Sequence, residues 1–161
     1  MPTPPDREAD AMTATTRPSR LHFLVVDDFA TMRRIVRNLL REMGHTEVDE
    51  AVDGRAALEM LRSQSYDFVV ADVNMPNLNG FDLVRAMRQE AALQAVPVLL
   101  VTPSASKEHV VLAARVQANG YIVRPLTRSA LGDKVCSILG LPSEPGRPRA
   151  TFSAIAHRAA R

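Results

Sequence analysis

Three acidic side chains stand where apolar segments of this 161-residue chain end. Asp72 closes one such segment and is followed by a turn that contains proline and glycine. Asp27 and Asp28 close another, the run from His22 to Val26. In an open parallel α/β sheet, reaction sites lie outside the carboxyl ends of the strands. The sequence therefore predicts that the three carboxylates share one pocket.

Such a group of carboxylates favours a hard divalent cation. Like charges a few ångströms apart repel by roughly several kcal/mol at an effective dielectric of about 20. Mg²⁺ relieves this repulsion, because it takes oxygen ligands and uses one or two carboxylates together with water and phosphate oxygens. A lone aspartate at a strand end is more often a solvated turn residue. Two acidic strand ends with a turn motif favour the metal site, which leaves one acid free to react.

The elements that must position these acids alternate along the chain. Apolar residues at helical spacing, among them Ile35 and Leu39, predict a first helix that ends at Gly44. Further strands are predicted at residues 47–51, 66–72, 97–102 and 121–123, each followed by a helix. Continuous apolar strands separated by helices indicate an α/β fold, doubly wound as (βα)5 around a central five-stranded parallel sheet.

The composition is that of one globular domain with two extensions. Residues 1–20 are expected to be a disordered arm, residues 21–141 the folded domain, and residues 142–161 a tail rich in proline and arginine. The net charge is +2, but residues 21–140 carry 13 basic and 14 acidic side chains, so the excess lies in the tail. The charge is therefore weak support for nucleic-acid binding by the domain.

The sequence also disfavours a membrane or secreted protein and a protein built on disulfides or cysteine-bound metal. No apolar stretch is long enough for a membrane span or resembles a secretory signal, which predicts a cytoplasmic protein. The single cysteine, Cys136, excludes a disulfide framework and a paired-cysteine metal site, and a packing role is expected for it.

The strand-end residues resemble the receiver domain of two-component response regulators, and above all the single-domain chemotaxis regulators of that family. The likeness covers roughly residues 21–141 and rests on Asp27-Asp28, the segment from Asp72 to Gly80, Thr102, and Tyr121 with Arg124-Pro125. It implies a flavodoxin-like fold with strand order 2-1-3-4-5. It also implies that the chain is a phospho-accepting switch, limited to magnesium-dependent self-phosphotransfer and slow autodephosphorylation, rather than an enzyme with a separate substrate.

The resemblance implies a role for each acid of the predicted pocket. Asp72 would be the nucleophile that takes a phosphoryl group from a phosphohistidine on a partner kinase. Mg²⁺ would be bound by Asp28, Asp72 and the main-chain carbonyl of Asn74, with Asp27 acting mainly through water. The metal would lower the repulsion between the carboxylate and the phosphoryl oxygens.

The same resemblance assigns the switching residues. Thr102 would hydrogen-bond a phosphoryl oxygen, and Tyr121 would change rotamer as the Thr102 loop closes. Arg124 stands where the family normally has a lysine, and a planar, bidentate guanidinium differs in shape from an ammonium. We therefore expect Arg124 to keep the charge contact with the phosphoryl group but to alter the closing of the Thr102 loop. Ser104 replaces an acidic residue that is common near the attacking water in such regulators. The Arg124-Pro125 peptide is expected to be cis.

The predicted function is a stand-alone response regulator of a phosphorelay, most simply in chemotaxis and the control of flagellar rotation. The implied partners are a histidine kinase as donor and the flagellar motor switch protein as target, with no DNA-binding domain, no membrane and a monomeric state. The partner surface is predicted at Lys107, Glu108, Val110 and Tyr121.

Three alternatives remain open from the sequence. The first is a receiver that acts as a phosphate sink or adaptor outside chemotaxis, with switching altered by Arg124. The second is an aspartyl-phosphate phosphatase of the haloacid dehalogenase type, which the adjacency of Asp27 and Asp28 disfavours, because those enzymes place two aspartates two residues apart. The third is an adaptor that binds nucleic acid or membrane through the arginines of the tail.

Overall fold

The computed structural model describes residues 20–104 and 106–142, which form a parallel sheet flanked by helices. The strands are β1 (His22–Val26), β2 (Glu47–Ala51), β3 (Phe68–Asp72), β4 (Val98–Thr102) and β5 (Gly120–Val123). The helices are α1 (Ala30–Glu42), α2 (Gly54–Ser63), α3 (Gly80–Gln89), α4 (Lys107–Arg115) and α5 (Arg128–Leu139). The strand order β2-β1-β3-β4-β5 confirms the predicted topology. The expected arm and tail lie outside the described residues, apart from Arg20 and Pro142.

The sheet lies between two layers of helices. Helices α1 and α5 pack on one face, where Phe23 and Phe68 are fully buried. Helices α2, α3 and α4 cover the other face, around Leu24 and Val69. Every residue of β3 and β4 is buried, which explains why these strands read as continuous apolar runs. None of the helices in the described ranges is long and apolar enough to cross a lipid bilayer.

Helix α1 buries a narrower apolar stripe than its sequence pattern suggested. Ile35, which was predicted to lie on the apolar face, is 40% exposed. Arg33 and Arg37 form ion pairs with Glu50 of β2 at 3.2 and 2.8 Å. These two arginines occupy the flank of the helix that faces β2, so the buried contacts centre on Val36.

A polar network closes the amino end of the sheet. The Nε2 atom of His22 lies 2.8 Å from Oδ2 of Asp49, and the Tyr66 hydroxyl donates to the same oxygen at 2.7 Å. The rings of His22 and Tyr66 are in contact, with centroids 4.3 Å apart and ring planes tilted by 36°. The main-chain N–H of His22 donates to Oδ2 of Asp67, just before β3. This network ties β1, β2 and the start of β3 together.

Arg88, at the end of α3, organises two loops at the same amino end. Its guanidinium donates to the main-chain oxygens of Gln94 at 3.0 Å, Val96 at 2.9 Å and Gln117 at 3.1 Å. It also donates to the side chain of Asn119 at 2.8 Å. One arginine thus supplies donors to carbonyl groups that lie outside the helices and strands.

Candidate functional site

The register of the strands places the predicted site residues at one edge of the sheet. Asp72 pairs with Val101, and Thr102 pairs with Val123, so both side chains stand at the carboxyl ends of their strands. Asp27 directly follows β1, and its main-chain N–H donates to the carbonyl of Ala51. The parallel arrangement therefore collects residues that are far apart in the chain.

The carboxylates of Asp27, Asp28 and Asp72 form one cluster. A carboxylate oxygen from each lies within 4.8 Å of those from the other two. Asp27 and Asp72 are only 4% and 3% exposed, whereas Asp28 faces solvent. The cluster therefore has two buried acids and an open side through which a cation or a phosphoryl group can enter.

Burial makes this cluster electrostatically unfavourable when it is fully charged. Removal from water raises the pKa of Asp27 to about 6, and repulsion from Asp72 and Asp28 acts in the same direction. The Phe29 N–H, which donates to Oδ1 of Asp27 at 2.9 Å, acts against this rise. Burial also raises the pKa of Asp72, although the positive charge of Arg124 opposes that shift. Such perturbed acids in a cleft are typical of functional sites.

Arg124 places a positive charge inside the cluster. Its Nη2 atom lies 2.8 Å from Oδ1 of Asp72 and 3.7 Å from Oδ2 of Asp27. No hydrogen bond of good geometry reaches Oδ1 of Asp72 from the described residues. The contact is therefore an ion pair without a well-formed hydrogen bond. The Arg124-Pro125 peptide is cis, as predicted.

The two predicted switching residues meet at one carbonyl group. Thr102 is fully buried, and its hydroxyl donates to the main-chain oxygen of Ser104 at 3.2 Å. The Tyr121 hydroxyl donates to the same oxygen at 2.6 Å, and Tyr121 is 6% exposed. Tyr121 is therefore turned inward, and the Ser104 carbonyl connects it to Thr102.

An open cleft of about 530 Å³ lies beside the acid cluster. Asp28 and Asn74 line it on the side of the cluster, and His109 lines it from α4. The Nδ1 atom of His109 lies 3.3 Å from the Thr102 hydroxyl, and its ring packs against Phe81 with centroids 5.5 Å apart. His109 was not anticipated, because an isolated histidine in a helix carries no motif that reveals its neighbours.

Two glycines allow the loop after β3 to pass close to other backbone segments. A Cβ atom on Gly80 would lie 2.4 Å from the main-chain oxygen of Asp72, and one on Gly54 would lie 2.4 Å from that of Leu78. The Gly80 N–H donates to the carbonyl of Val73 at 3.1 Å. The backbone that carries Asp72 is therefore positioned by a contact that only a residue without a side chain permits.

The residues of the predicted partner surface divide into two groups. Lys107 and Glu108 are exposed at the start of α4. Val110 is only 7% exposed and packs in the same core cluster as Tyr121. Val110 therefore does not contribute to an exposed surface, because its position in the first turns of α4 points it toward the sheet.

Comparison with known sequences gives a consistent set of relatives. The profile of the family described as response regulator receiver domain matches residues 23–136. The chemotaxis protein CheY of Pseudomonas aeruginosa is 48% identical over 115 residues, which are 71% of this chain and 93% of that protein. Chemotaxis protein CheY-3 of Vibrio cholerae is 47% identical over 118 residues, or 73% of this chain and 91% of that protein.

Solved structures show the same fold. Chemotaxis protein CheY4 of Vibrio cholerae aligns with a TM-score of 0.70 at 32% identity, over 74% of this chain and 99% of that one. The receiver domain of a sensor histidine kinase from Pseudomonas aeruginosa, which has a magnesium ion coordinated in its active-site cleft, aligns with a TM-score of 0.69. It is 24% identical over 76% of this chain and 99% of that one, so this likeness supports the fold alone.

Proposed function

The chain belongs to the response regulator receiver domain family, and from this premise we propose that it accepts a phosphoryl group on Asp72 from a histidine kinase. The observation that carries the proposal is the position of Asp72. Its carboxylate is buried at the end of a central strand, within 4.8 Å of two other carboxylates. We also propose, from the identity to chemotaxis regulators, that the signal belongs to chemotaxis.

The residues at the cluster fit Mg²⁺. All the donors are oxygen atoms, which a hard cation prefers, and Oδ1 of Asp72 lacks a hydrogen-bond partner among the described residues. Asp28, Asp72 and the main-chain carbonyl of Asn74 would hold the ion, and Asp27 would act through water. When bound, the ion supplies positive charge that offsets the negative charge of the carboxylates and the phosphoryl oxygens.

The protein's own groups account for the transfer. A carboxylate oxygen of Asp72 attacks the phosphorus atom, the P–N bond of the donor phosphohistidine breaks, and its electron pair returns to the imidazole. The buried position of Asp72 holds the nucleophile in one orientation and limits access of water. The guanidinium of Arg124, already 2.8 Å from Asp72, is placed to face the incoming negative charge.

The proposed output is a change in protein binding. Phosphorylation replaces the single negative charge of the Asp72 carboxylate with a phosphoryl group of roughly −1.5 to −2 charge beside Thr102. That charge changes a distant surface only if it shifts an element with two arrangements, and the pair Thr102 and Tyr121 is such an element. We infer that the exposed residues Lys107 and Glu108, above the inward Tyr121, belong to the surface that a motor switch protein would contact.

One observation favours a second function. Arg124 contacts Asp72 and Asp27 together, so the cation that would draw the Thr102 loop inward is already engaged with the acid cluster. A receiver with weak switching would serve as a phosphate sink or as an adaptor outside chemotaxis. A protein of this kind would take up phosphoryl groups normally but change its partner affinity little.

The acceptor is tested with a matched pair of variants at the two ends of β3. Purified protein is incubated with acetyl phosphate and Mg²⁺, and intact mass is recorded. Asp72→Asn is expected to abolish the gain of one phosphoryl group. Asp67→Asn, just before the same strand, is the control and should retain it, because Asp67 contacts His22 at the opposite end of the sheet. Uptake that persists in Asp72→Asn would refute the assignment.

The output surface is tested separately from uptake. Lys107→Ala and Glu108→Ala should weaken binding of the phosphorylated protein to a motor switch protein without slowing phosphorylation. Arg34→Ala, an exposed arginine on α1, is the control and should leave the affinity nearly unchanged. A larger loss from Arg34→Ala would move the output surface to α1. An affinity that phosphorylation does not change would favour the sink or adaptor.

A further inference from the structure

The switch hydroxyl of Thr102 is fully engaged in this structure. It has one proton to donate and lone pairs that can accept two hydrogen bonds. The Ser104 carbonyl lies 3.2 Å away, the Ser104 N–H donates to the hydroxyl at 3.3 Å, and Nδ1 of His109 lies 3.3 Å away. With either tautomer of His109, the proton of the hydroxyl is used by Ser104 or by the imidazole.

His109 is held where it can make this contact. The Ser106 hydroxyl accepts a hydrogen bond from the main-chain N–H of His109 at 3.2 Å, which fixes His109 in the first turn of α4. Phe81 of α3 packs against the imidazole ring on the inner side. The ring therefore lies between two helices, lines the cleft beside Asp28, and has a nitrogen within reach of the Thr102 hydroxyl.

We propose that His109 is a positioning residue that holds the Thr102 hydroxyl in the resting conformation, so that a phosphoryl group on Asp72 gains this hydroxyl only when the imidazole releases it. The inference rests on the proposed function and adds a restraint that sets how readily the site closes. A neutral hydrogen bond contributes roughly 0.5–1.5 kcal/mol. Loss of the restraint should therefore strengthen binding of a phosphoryl mimic roughly 2- to 10-fold.

The test titrates the full-length protein with beryllofluoride in the presence of Mg²⁺, as a stable mimic of the phosphoryl group. Binding is followed by NMR of protein labelled in its tyrosine rings, since the chain has only two tyrosines, Tyr66 and Tyr121. His109→Phe keeps an aromatic ring against Phe81 but removes both nitrogens, and it should lower the half-saturating concentration roughly 2- to 10-fold. His109→Gln restores a polar group and should return the value toward that of the parent.

A double-mutant cycle separates this role from a general packing effect. Thr102→Val removes the hydroxyl, so His109→Phe should have no further effect on beryllofluoride affinity in that background. If His109→Phe fails to fold, His109→Leu provides a second variant without ring nitrogens. Equal or weaker affinity of the variants that lack the nitrogens, relative to the parent, overturns the inference but leaves phosphorylation at Asp72 intact. A parent protein that does not bind beryllofluoride overturns both proposals.

Discussion

The two ends of the five-stranded sheet treat charged groups in opposite ways. At the amino end, His22 faces Asp49, and the Tyr66 hydroxyl donates to the same carboxylate. At the carboxyl end, Asp27 and Asp72 are buried beside each other, and burial raises the pKa of both. The first arrangement satisfies its polar groups and stabilises the fold. The second keeps unfavourable charge that a ligand can relieve.

The difference between the two ends indicates which end stabilises the folded domain and which end is set up to bind a ligand. Partly buried polar groups whose partners balance them stabilise a structure, whereas three carboxylates beside one guanidinium keep an excess of negative charge that reduces its stability. A site that stays unfavourable until a cation or phosphoryl group arrives can convert that binding into a change of conformation. The amino end should therefore govern stability, and the carboxyl end should govern ligand binding.

The largest effect is expected from Arg88→Ala at the amino end. The variant removes the donor of several carbonyl oxygens, of which those of Leu93 and Val96 are partly buried, so the free energy of unfolding should fall by about 2–3 kcal/mol in urea denaturation. Phosphoryl uptake should be unchanged. Arg85→Ala on the same helix is the control, because among the described residues Arg85 makes an exposed ion pair with Asp82, and its loss should change stability by about 0.3 kcal/mol. Similar losses in both variants would contradict the structural role of Arg88.

The next effect concerns Mg²⁺ and the carboxyl end. Asp28→Ala should reduce Mg²⁺ affinity by roughly tenfold or more, measured by isothermal titration calorimetry. Asp27→Ala should reduce it less, because a water-bridged contact is lost rather than a direct ligand. Equal losses in the two variants would refute these ligand roles.

A third substitution is expected to increase stability. In the absence of divalent cations, Asp27→Asn should raise the free energy of unfolding at pH 7 by about 1–2 kcal/mol. The pKa of Asp27 is about 6 in the folded protein against 3.8 as its ordinary value, so the folded state binds the proton more tightly. Ionisation therefore destabilises the fold above pH 6, and this penalty disappears as the pH falls from 6 toward 4. If Asp27→Asn is less stable than the parent at pH 7, the charge of Asp27 does not destabilise the fold, and the proposed contrast between the two ends of the sheet is wrong.

The smallest effect is expected from Arg124→Lys. The positive charge remains, so uptake of a phosphoryl group from acetyl phosphate should be nearly unchanged. The ammonium has a different shape and hydrogen-bonding geometry, so the response of the Tyr121 ring signals to beryllofluoride should change. Identical Tyr121 responses in the parent and the variant would show that the shape of this cation does not matter for closing.

Much of the fold could be predicted from the sequence. The buried strands β3 and β4 are continuous apolar runs, and the turn signals around them set their ends within a residue or two. The order of the strands in the sheet could not be predicted in this way, because hydrophobic periodicity does not indicate which strands are neighbours. It came from the family resemblance and is confirmed by the pairing of β1 with β3.

The side-chain contacts within the site were harder to predict from the sequence. The three aspartates could be grouped because the ends of parallel strands meet, but the rotamer that brings Arg124 to Asp72 could not. His109 was overlooked, since its contact with Thr102 depends on how α4 packs. Val110 was assigned to the partner surface although it is buried, because spacing alone does not fix which side of a short helix faces the sheet.

Gly80 has a consequence for how this gene tolerates mutation. It carries no functional group, yet any side chain at this position would be forced into the main-chain oxygen of Asp72. A saturation screen for signalling should therefore record Gly80 as nearly as intolerant as the acceptor itself, alanine included. Positions found intolerant in such a screen would therefore include residues that only shape the backbone around Asp72, as well as residues that take part in phosphoryl transfer.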